Sequence, residues 1–213
     1  MPKKCFKGKR EFVKALKRKS GDVNQSVASE YLYAKLISGR MMDSIKVLID
    51  DDDFLELCYA TLSAWGLNSR GSVLISFENF SKKIRKYKPI LIELEGYKLN
   101  KMDENELELV LKKLKRIYEG LYITRSTRTG KPVFDKLVSF SKALHFLLPD
   151  LCMPMDREYT FNFFGYASPS WGTYEKVFRH FYDVAKRIDL RTICREENRP
   201  IPKLIDDVII LSR

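Results

Sequence analysis

The chain has 213 residues, of which 45% are hydrophobic and 31% are charged, a composition typical of a globular protein with a substantial core. Its 39 Lys and Arg outnumber its 28 Asp and Glu and give a formal net charge of +11, which favours a polyanionic partner, nucleic acid first, over a soluble protein that is merely basic. No apolar run approaches the ~20 residues that span a bilayer, and the N-terminus lacks the apolar segment of a signal peptide, so we expect a cytoplasmic protein with no membrane partner.

The cysteines give no sign of a metal or a disulfide framework. They are widely spaced and form no C-x-x-C pair; they are Cys5, Cys58, Cys152 and Cys194. A zinc or iron–sulfur site needs clustered thiolates, and a secreted disulfide framework needs a recurring cysteine pattern. We therefore expect neither metal nor cofactor, and the sequence leaves the oligomeric state open.

The basic excess is concentrated at the N-terminus. Residues 1–20 contain nine Lys and Arg against a single acid, Glu11. One interpretation is a short basic helix or arm, with Phe12, Val13 and Leu16 on its apolar edge, that grips a phosphate backbone. The other is a frayed, solubilising tail. We expect residues 21–213 to form one helical domain, with lobes 21–120 and 121–213 as the alternative.

An acidic run follows the helices predicted over residues 23–37 and 42–49. Asp50–Asp53 precede the apolar pattern that runs from Phe54 to Trp65. Aspartates at this position cap a helix N-terminus and complement its dipole. Four carboxylates can also hold a hard cation, but the run lacks the alternating ligands and the glycine of a calcium loop, so capping is favoured.

Two basic segments are candidates for contacting phosphates. One is the predicted amphipathic helix 77–88, followed by a short apolar link 91–94, and the other is the hydroxyl-rich loop 124–131. Their basic side chains are Lys82, Lys83, Arg85 and Lys86 in the helix and Arg125, Arg128 and Lys131 in the loop. Either set can lie along a phosphate backbone or face water. The loop lacks the first glycine and the Lys-Ser/Thr ending of a P-loop, so we expect no nucleoside triphosphate there.

The remaining pattern predicts helices alone. Asp103 and Glu106 form a capping-box signature before the helix 107–118. Further helices are predicted from Pro132 to Leu147, after Ser168 and from Pro202 to Leu211. Residues spaced by four and three mark the buried stripe of the helix before residue 147; they are Val133, Leu137, Phe140, Leu144 and Leu147. No repeat or β-hairpin signal appears, so we predict an all-α, multi-helical fold.

The stretch 139–159 places reactive groups inside an apolar run. Lys142 shares a helix face with Ser139 and Asp135, away from the buried stripe, and an amine near a helix N-terminus with apolar neighbours can be a nucleophile. Asp156 follows Met153-Pro154-Met155 and is either a functional carboxylate or a plain N-cap. His145 is one turn from Ser141 and is either a pocket residue or a core histidine bonded to that serine.

Two motifs of this stretch resemble the helix-hairpin-helix DNA glycosylase superfamily. They are Val138-Ser139-Phe140-Ser141-Lys142-Ala143 and Met153-Pro154-Met155-Asp156, with Tyr159 one turn further on. The resemblance implies that Asp156 is the essential carboxylate, which assists loss of the base, stabilises the cationic sugar or helps to deprotonate Lys142. Lys142 would attack the sugar carbon. Ser139 and Ser141 stand where the family's hairpin is rich in glycine, and we expect them to contact nucleic acid.

The resemblance implies a DNA-repair hydrolase that removes a flipped base from nucleic acid, with DNA favoured over RNA, and that has lyase activity or lacks it. Residues that would line the pocket for this base are Trp65, His145, Tyr159 and Trp171. The alternatives are a non-catalytic DNA- or RNA-binding helical protein and a helical interaction protein whose charge serves solubility. An open cleft shared by Lys142 and Asp156 would favour the enzyme.

Overall fold

The architecture is predominantly helical. A computed structural model describes residues 9–16, 27–68, 72–131, 137–166 and 168–212. In these ranges the α-helices are α1 (Lys9–Leu16), α2 (Val27–Met42), α3 (Ile45–Leu48), α4 (Asp52–Leu62), α5 (Phe77–Arg85), α6 (Lys88–Glu95), α7 (Glu104–Gly120), α8 (Leu137–Leu147), α9 (Asn162–Phe164), α10 (Trp171–Arg187), α11 (Arg191–Glu197) and α12 (Ile201–Leu211). Two π-helical turns, π1 (Ser63–Leu67) and π2 (Arg157–Phe161), and two short strands, β1 (Ser72–Leu74) and β2 (Thr124–Ser126), complete the described fold.

The predicted all-α class is confirmed, and one small two-stranded sheet that the sequence did not indicate is added to it. Strands β1 and β2 pair antiparallel, with Ser72 opposite Ser126 and Leu74 opposite Thr124. The loop predicted over residues 124–131 therefore begins as a strand. This pairing joins segments about fifty residues apart, and three-residue strands are too short to show an alternating pattern in the sequence.

A second correction concerns residues 91–94, which belong to helix α6 and are not a link. Pro89 occupies the first turn of α6, where its missing N–H has no intrahelical partner to lose. The chain therefore passes from α5 to α6 with a short break at Lys86 and Tyr87. This break divides the single basic helix predicted over residues 77–88.

The predicted caps are confirmed. Asp103 accepts a hydrogen bond from the Glu106 N–H while the Glu106 carboxylate accepts one from the Asp103 N–H, which completes the capping box of α7. In the acidic run, Asp51 caps α4 by accepting from the Asp53 N–H. Such caps satisfy backbone donors that have no partner within the helix.

Helices α8 and α12 are central to the fold. Ten of the eleven α8 residues are buried, so the helix is enclosed on all sides, although the sequence pattern indicated one buried stripe. In α12, residues 202–209 are all buried. The buried apolar residues form one contiguous core from Phe12 to Ile209. None of the described helices is both long and apolar enough to cross a bilayer.

The described part of the basic N-terminal segment is the helix α1. It packs against α12, and Phe12 is fully buried. This described part is helical and contributes Phe12 and Ala15 to the core, while Lys14 is exposed. The rest of the basic segment, residues 1–8 and 17–20, lies outside the described residues.

Candidate functional site

A cleft brings together four of the residues predicted for the site. It has a volume of about 370 Å³ and is bounded by π1, α8, the loop before π2, and α12. Lys142, Asp156, Tyr159 and Trp65 all line it. The fold thus unites residues that are up to 94 positions apart in the sequence.

Lys142 and Asp156 face each other in this cleft. Their Nζ and Oδ2 atoms are 3.8 Å apart, and the side chain of Lys142 is 10% exposed while that of Asp156 is 33% exposed. Burial of Lys142 corrects the expectation that its face of α8 points away from the core. The carboxylate is the more accessible of the two groups, so a ligand entering the cleft meets Asp156 first.

A kink in π1 positions Lys142. Its Nζ donates a hydrogen bond to the Trp65 carbonyl at 2.9 Å and lies 5.8 Å from the centre of the Trp65 ring. The next residue, Gly66, has a φ of +84°, in the left-handed region that favours glycine. This turn interrupts the regular helical hydrogen bonding, so the Trp65 carbonyl is available to the lysine.

Asp156 is an N-cap, as one of the two interpretations of the sequence expected, and it also lines the cleft. It is the N-cap of π2, where Oδ1 accepts from the Glu158 N–H at 2.8 Å. Its own N–H donates to Thr160 Oγ1 at 3.1 Å. With one oxygen held by the cap, the other oxygen is directed towards Lys142. The cap therefore orients the carboxylate and does not exclude a chemical role for it.

Ser139 and Ser141 are buried, which corrects their expected role in nucleic-acid binding. Ser141 is fully buried, and its hydroxyl donates to the Val138 carbonyl and accepts from the Met155 N–H, both at 3.0 Å. Ser139 is 3% exposed and lies 3.5 Å from the Thr124 hydroxyl. Neither hydroxyl reaches the surface where a phosphate would lie. Ser141 instead anchors the backbone just before Asp156.

His145 lies behind the cleft in the core and does not line it. Nδ1 is 2.8 Å from the Cys152 carbonyl, which can only accept, so Nδ1 carries the proton. Nε2 then accepts from the Tyr33 hydroxyl at 2.8 Å. Burial lowers the pKa of His145 to about 3, so the ring is neutral. Of the two interpretations of His145, the core histidine is correct and the pocket residue is wrong. Its hydrogen-bond partners are Tyr33 and Cys152 and not Ser141.

Trp171 also lies away from the cleft. At the start of α10, its ring packs 5.5 Å from Tyr118 and 5.3 Å from Tyr174. Its indole N–H donates to the Glu175 carboxylate at 3.1 Å. These contacts make Trp171 part of an aromatic cluster in the core region, which corrects its expected place in the pocket.

A buried ionic network adjoins the cleft and was not anticipated. Lys203 is 2% exposed, and its Nζ donates to Asp206 at 2.9 Å and to Asp207 at 2.6 Å. Arg199 then binds both Asp207, at 2.7 Å, and Glu30, at 2.8 Å. Lys203 and Asp206 line the cleft beside Lys142. The signal in the sequence was a lysine and two aspartates, spaced by three and four residues, inside the apolar helix 201–211.

Burial controls the protonation of this network. It raises the pKa of Asp206 to about 6, which Lys203 opposes and the neighbouring charge of Asp207 reinforces. Burial alone would lower the pKa of Lys203, but the two carboxylates outweigh it and raise that pKa. The cleft therefore contains a half-buried carboxylate, Asp156, and a buried one, Asp206, whose pKa is raised.

The predicted phosphate-contacting residues fall into two groups. Arg85 is bound to other groups of the protein, since it donates to the Ile49 and Asp50 carbonyls and to the Asp52 carboxylate. The acidic run therefore binds the guanidinium group of Arg85. The side chains of the others form no ion pair among the described residues; Lys83 is half-buried, and Lys82, Lys86, Arg125, Arg128 and Lys131 are exposed.

The basic turn after β2 is linked to the wall of the cleft through the small sheet. Strand β1 packs against π1, which supplies Trp65 to the cleft wall, and β2 pairs with β1. Arg125 is opposite Val73 in this pairing, and the turn that carries Arg128 and Lys131 follows directly. The fold thus connects the wall of the cleft to an exposed, positively charged edge.

Comparison of the chain with protein-family models, with curated protein sequences and with solved structures finds no match. Within the described ranges, no group of three or more His, Cys, Asp or Glu side chains is arranged to hold a metal ion.

Proposed function

We propose that the cleft cleaves the N-glycosidic bond of a nucleotide that has been flipped out of nucleic acid, with DNA as the expected substrate. The observation that carries this proposal is the facing pair of Lys142 Nζ and Asp156 Oδ2, 3.8 Å apart at the wall of an open cavity. An amine and a carboxylate so placed supply a nucleophile, or a stabilising cation, beside a proton acceptor.

In a hydrolytic reaction, Asp156 Oδ2 accepts a proton from a water molecule as the water oxygen bonds to C1′ of the sugar. The C1′–N bond breaks, its electron pair leaves with the base, and the base takes a proton from solvent. The negative carboxylate also stabilises the positive charge that develops on the sugar. The greater exposure of Asp156 supports its direct contact with the sugar.

In the alternative reaction, Lys142 Nζ bonds to C1′ and its proton passes to Asp156. The base leaves with the electron pair of the C1′–N bond, and a covalent link between the lysine and the sugar remains. Against this route, Lys142 is tied to the Trp65 carbonyl at 2.9 Å and would have to release this bond before it attacks. We therefore favour hydrolysis, with Lys142 orienting the carboxylate.

The surroundings of the pair suit a flipped base. The cavity volume of about 370 Å³ falls within the range of roughly 300–1,000 Å³ that is usual for ligand pockets. Tyr159 and Trp65 line it, and aromatic rings can stack on a base that has left the duplex. Arg125, Arg128 and Lys131 on the exposed edge linked to the wall of the cleft are suited to the phosphate backbone.

The experiment is base excision from DNA duplexes that carry a panel of damaged bases. We expect Asp156→Asn to abolish excision, because the amide cannot accept the proton. Asp150→Asn is the matched control, since this aspartate pairs with Lys98 outside the cleft and is about half exposed. Excision that survives in Asp156→Asn would contradict the role of this carboxylate.

Borohydride trapping separates the two routes. A covalent complex between protein and DNA that disappears in Lys142→Ala would refute the hydrolytic route.

A second candidate function, non-catalytic nucleic-acid binding, is favoured by the exposed cations of β2 and the following turn, Arg125, Arg128 and Lys131, which form no ion pair within the described part of the chain. It predicts binding without excision, with an affinity that falls steeply as salt rises. Arg125→Gln and Arg128→Gln should then weaken binding and lower the salt dependence, while Asp156→Asn should leave both unchanged. An affinity that stays flat between low and moderate salt would refute contact with the phosphate backbone.

A further inference from the structure

A second and larger cavity lies between α2, the segment after α6, and α11. Its volume is about 550 Å³, and Lys142 and Asp156 do not line it. Its lining includes the cations Arg40, Lys98, Lys101, Arg191, Arg195 and Arg199. Two carboxylates, Glu95 and Asp150, accompany these six cations. The walls of this cavity therefore carry a clear excess of positive charge.

Two arginines give the cavity a fixed wall. Arg40 is 8% exposed and donates to the Leu147 carbonyl at 2.7 Å, to the Asp43 carbonyl at 2.7 Å and to Glu95 at 2.6 Å. Arg199 is held between Glu30 and Asp207. Because these guanidinium groups are bound to partners within the protein, they support the cavity and leave ligand binding to other cations.

Two further cations are available to a ligand. Lys101 and Arg195 are exposed at the cavity, and the side chain of neither forms an ion pair with any residue in the described parts of the chain. Arg191 is 74% exposed and pairs with Asp189, which does not line the cavity. Cations that converge on a concave surface concentrate their field and attract anions more strongly than the same charges on a flat face.

The cavity also has an apolar side. Tyr97, Leu148 and Ile201 line it together with the cations. Pockets for small molecules typically combine such apolar walls with a few polar groups that fix the orientation of the ligand. A purely inorganic anion would leave the apolar side unused, and an extended nucleic-acid backbone would not fill a concave cavity of this size.

We propose that this cavity binds a small phosphate monoester with an aromatic or apolar body, of the chemical class of a mononucleotide. Lys101 and Arg195 bind the phosphate, and Tyr97, Leu148 and Ile201 contact the body. The site is distinct from the cleft of Lys142 and Asp156, so the inference does not depend on the function proposed for that cleft.

The test is calorimetric titration of the full chain with AMP, with adenosine and with inorganic phosphate. We expect AMP to bind more tightly than either of the others, since each lacks one half of the contacts. Arg195→Gln and Lys101→Gln should each weaken AMP binding by roughly 10-fold or more, the usual effect of losing a charge-assisted hydrogen bond. Lys112→Gln, a change at an exposed lysine of α7 outside the cavity, is the matched control and should bind AMP as the wild type does.

Three results would overturn the proposal. They are the absence of AMP binding, equal affinity for AMP and one of its two halves, and AMP binding that is unchanged in both Arg195→Gln and Lys101→Gln. Both residues are exposed, so we expect the variants to fold, and circular dichroism checks this. Asp156 does not line this cavity, so Asp156→Asn should bind AMP as the wild type does. Failure of the proposed excision activity would therefore leave this inference intact.

Discussion

Replacing Lys203 by methionine tests whether the buried ionic network holds α12 in place. Lys203 is 2% exposed and is the shared partner of Asp206 and Asp207. Methionine retains most of the apolar stem of lysine but removes the ammonium group. Asp207 keeps a second cation, Arg199, at 2.7 Å, whereas Asp206 loses its hydrogen-bonded partner. The loss of stability therefore comes mainly from Asp206.

The magnitude follows from the burial of Asp206. Leaving one partner of a buried ion pair uncompensated costs about 3–5 kcal/mol. Asp206 can escape part of this cost by taking up a proton. At pH 7 proton uptake costs about 1 kcal/mol relative to the wild type, whose Asp206 has a pKa of about 6. The neutral carboxyl group still lacks its hydrogen-bonded partner, which costs a further ~1–3 kcal/mol. We expect Lys203→Met to lower the free energy of unfolding by about 2–4 kcal/mol at pH 7.

Urea unfolding followed by circular dichroism measures this loss. The loss should shrink by about 1 kcal/mol at pH 5, because wild-type Asp206, with its pKa raised to about 6, is itself mostly protonated there. Lys98→Met is the matched control: Lys98 and Asp150 are both about half exposed, so its loss should be about 0.2–1 kcal/mol.

The double variant Lys203→Met/Asp206→Asn provides the second control. Asn carries no charge, so the double variant should be more stable at pH 7 than Lys203→Met alone. Together with the single variant Asp206→Asn, it completes the double-mutant cycle that gives the coupling energy between the two side chains. A Lys203→Met protein within 1 kcal/mol of the wild type at pH 7 would refute the account of this network.

Three further predictions concern the supports of the cleft. Gly66→Ala forces a side chain into a left-handed conformation and should cost about 1–2 kcal/mol in urea unfolding; Gly96→Ala, at a negative φ, should cost less. The folded pKa of His145 lies below its unfolded value, so the unfolded chain binds more protons and stability should fall as the pH drops from about 6.5 towards 3. A His145→Gln variant whose stability has the same pH slope as the wild type would contradict this. Ser141→Ala leaves the buried Met155 N–H without its acceptor and should cost about 1–3 kcal/mol, whereas Ser81→Ala, which removes only a bond within its own helix, should cost less.

The local features of the fold were predictable because neighbouring residues encode them. The capping box of Asp103 and Glu106 and the cap at Asp51 depend on contacts two or three residues apart. The sequence also predicted that Lys142 and Asp156 belong to one site, since both lie in a short stretch whose motifs resemble a known enzyme site. Their positions in a shared cleft agree with that expectation, and the function stays a prediction.

The errors arose where the solvent exposure of a side chain depends on distant segments. Ser139 and Ser141 appeared available for phosphates because α8 was expected to bury a single stripe, but the surrounding elements enclose it on all sides. Arg85 appeared free because its partners, Ile49 and two residues of the acidic run, lie 33 to 36 residues away. Burial and pairing of this kind are properties of the packed chain and leave little trace in local periodicity.

By itself, the amino-acid sequence determined the helical class, the caps and the stretch in which the candidate pair lies, because hydrophobic spacing and capping act over a few residues. Only the tertiary structure decided which charges meet. Arg199 and Glu30 pair across 169 residues, and Lys142 reaches the Trp65 carbonyl across 77. These contacts form because a buried charge must find a partner, and only the folded chain brings such distant partners together.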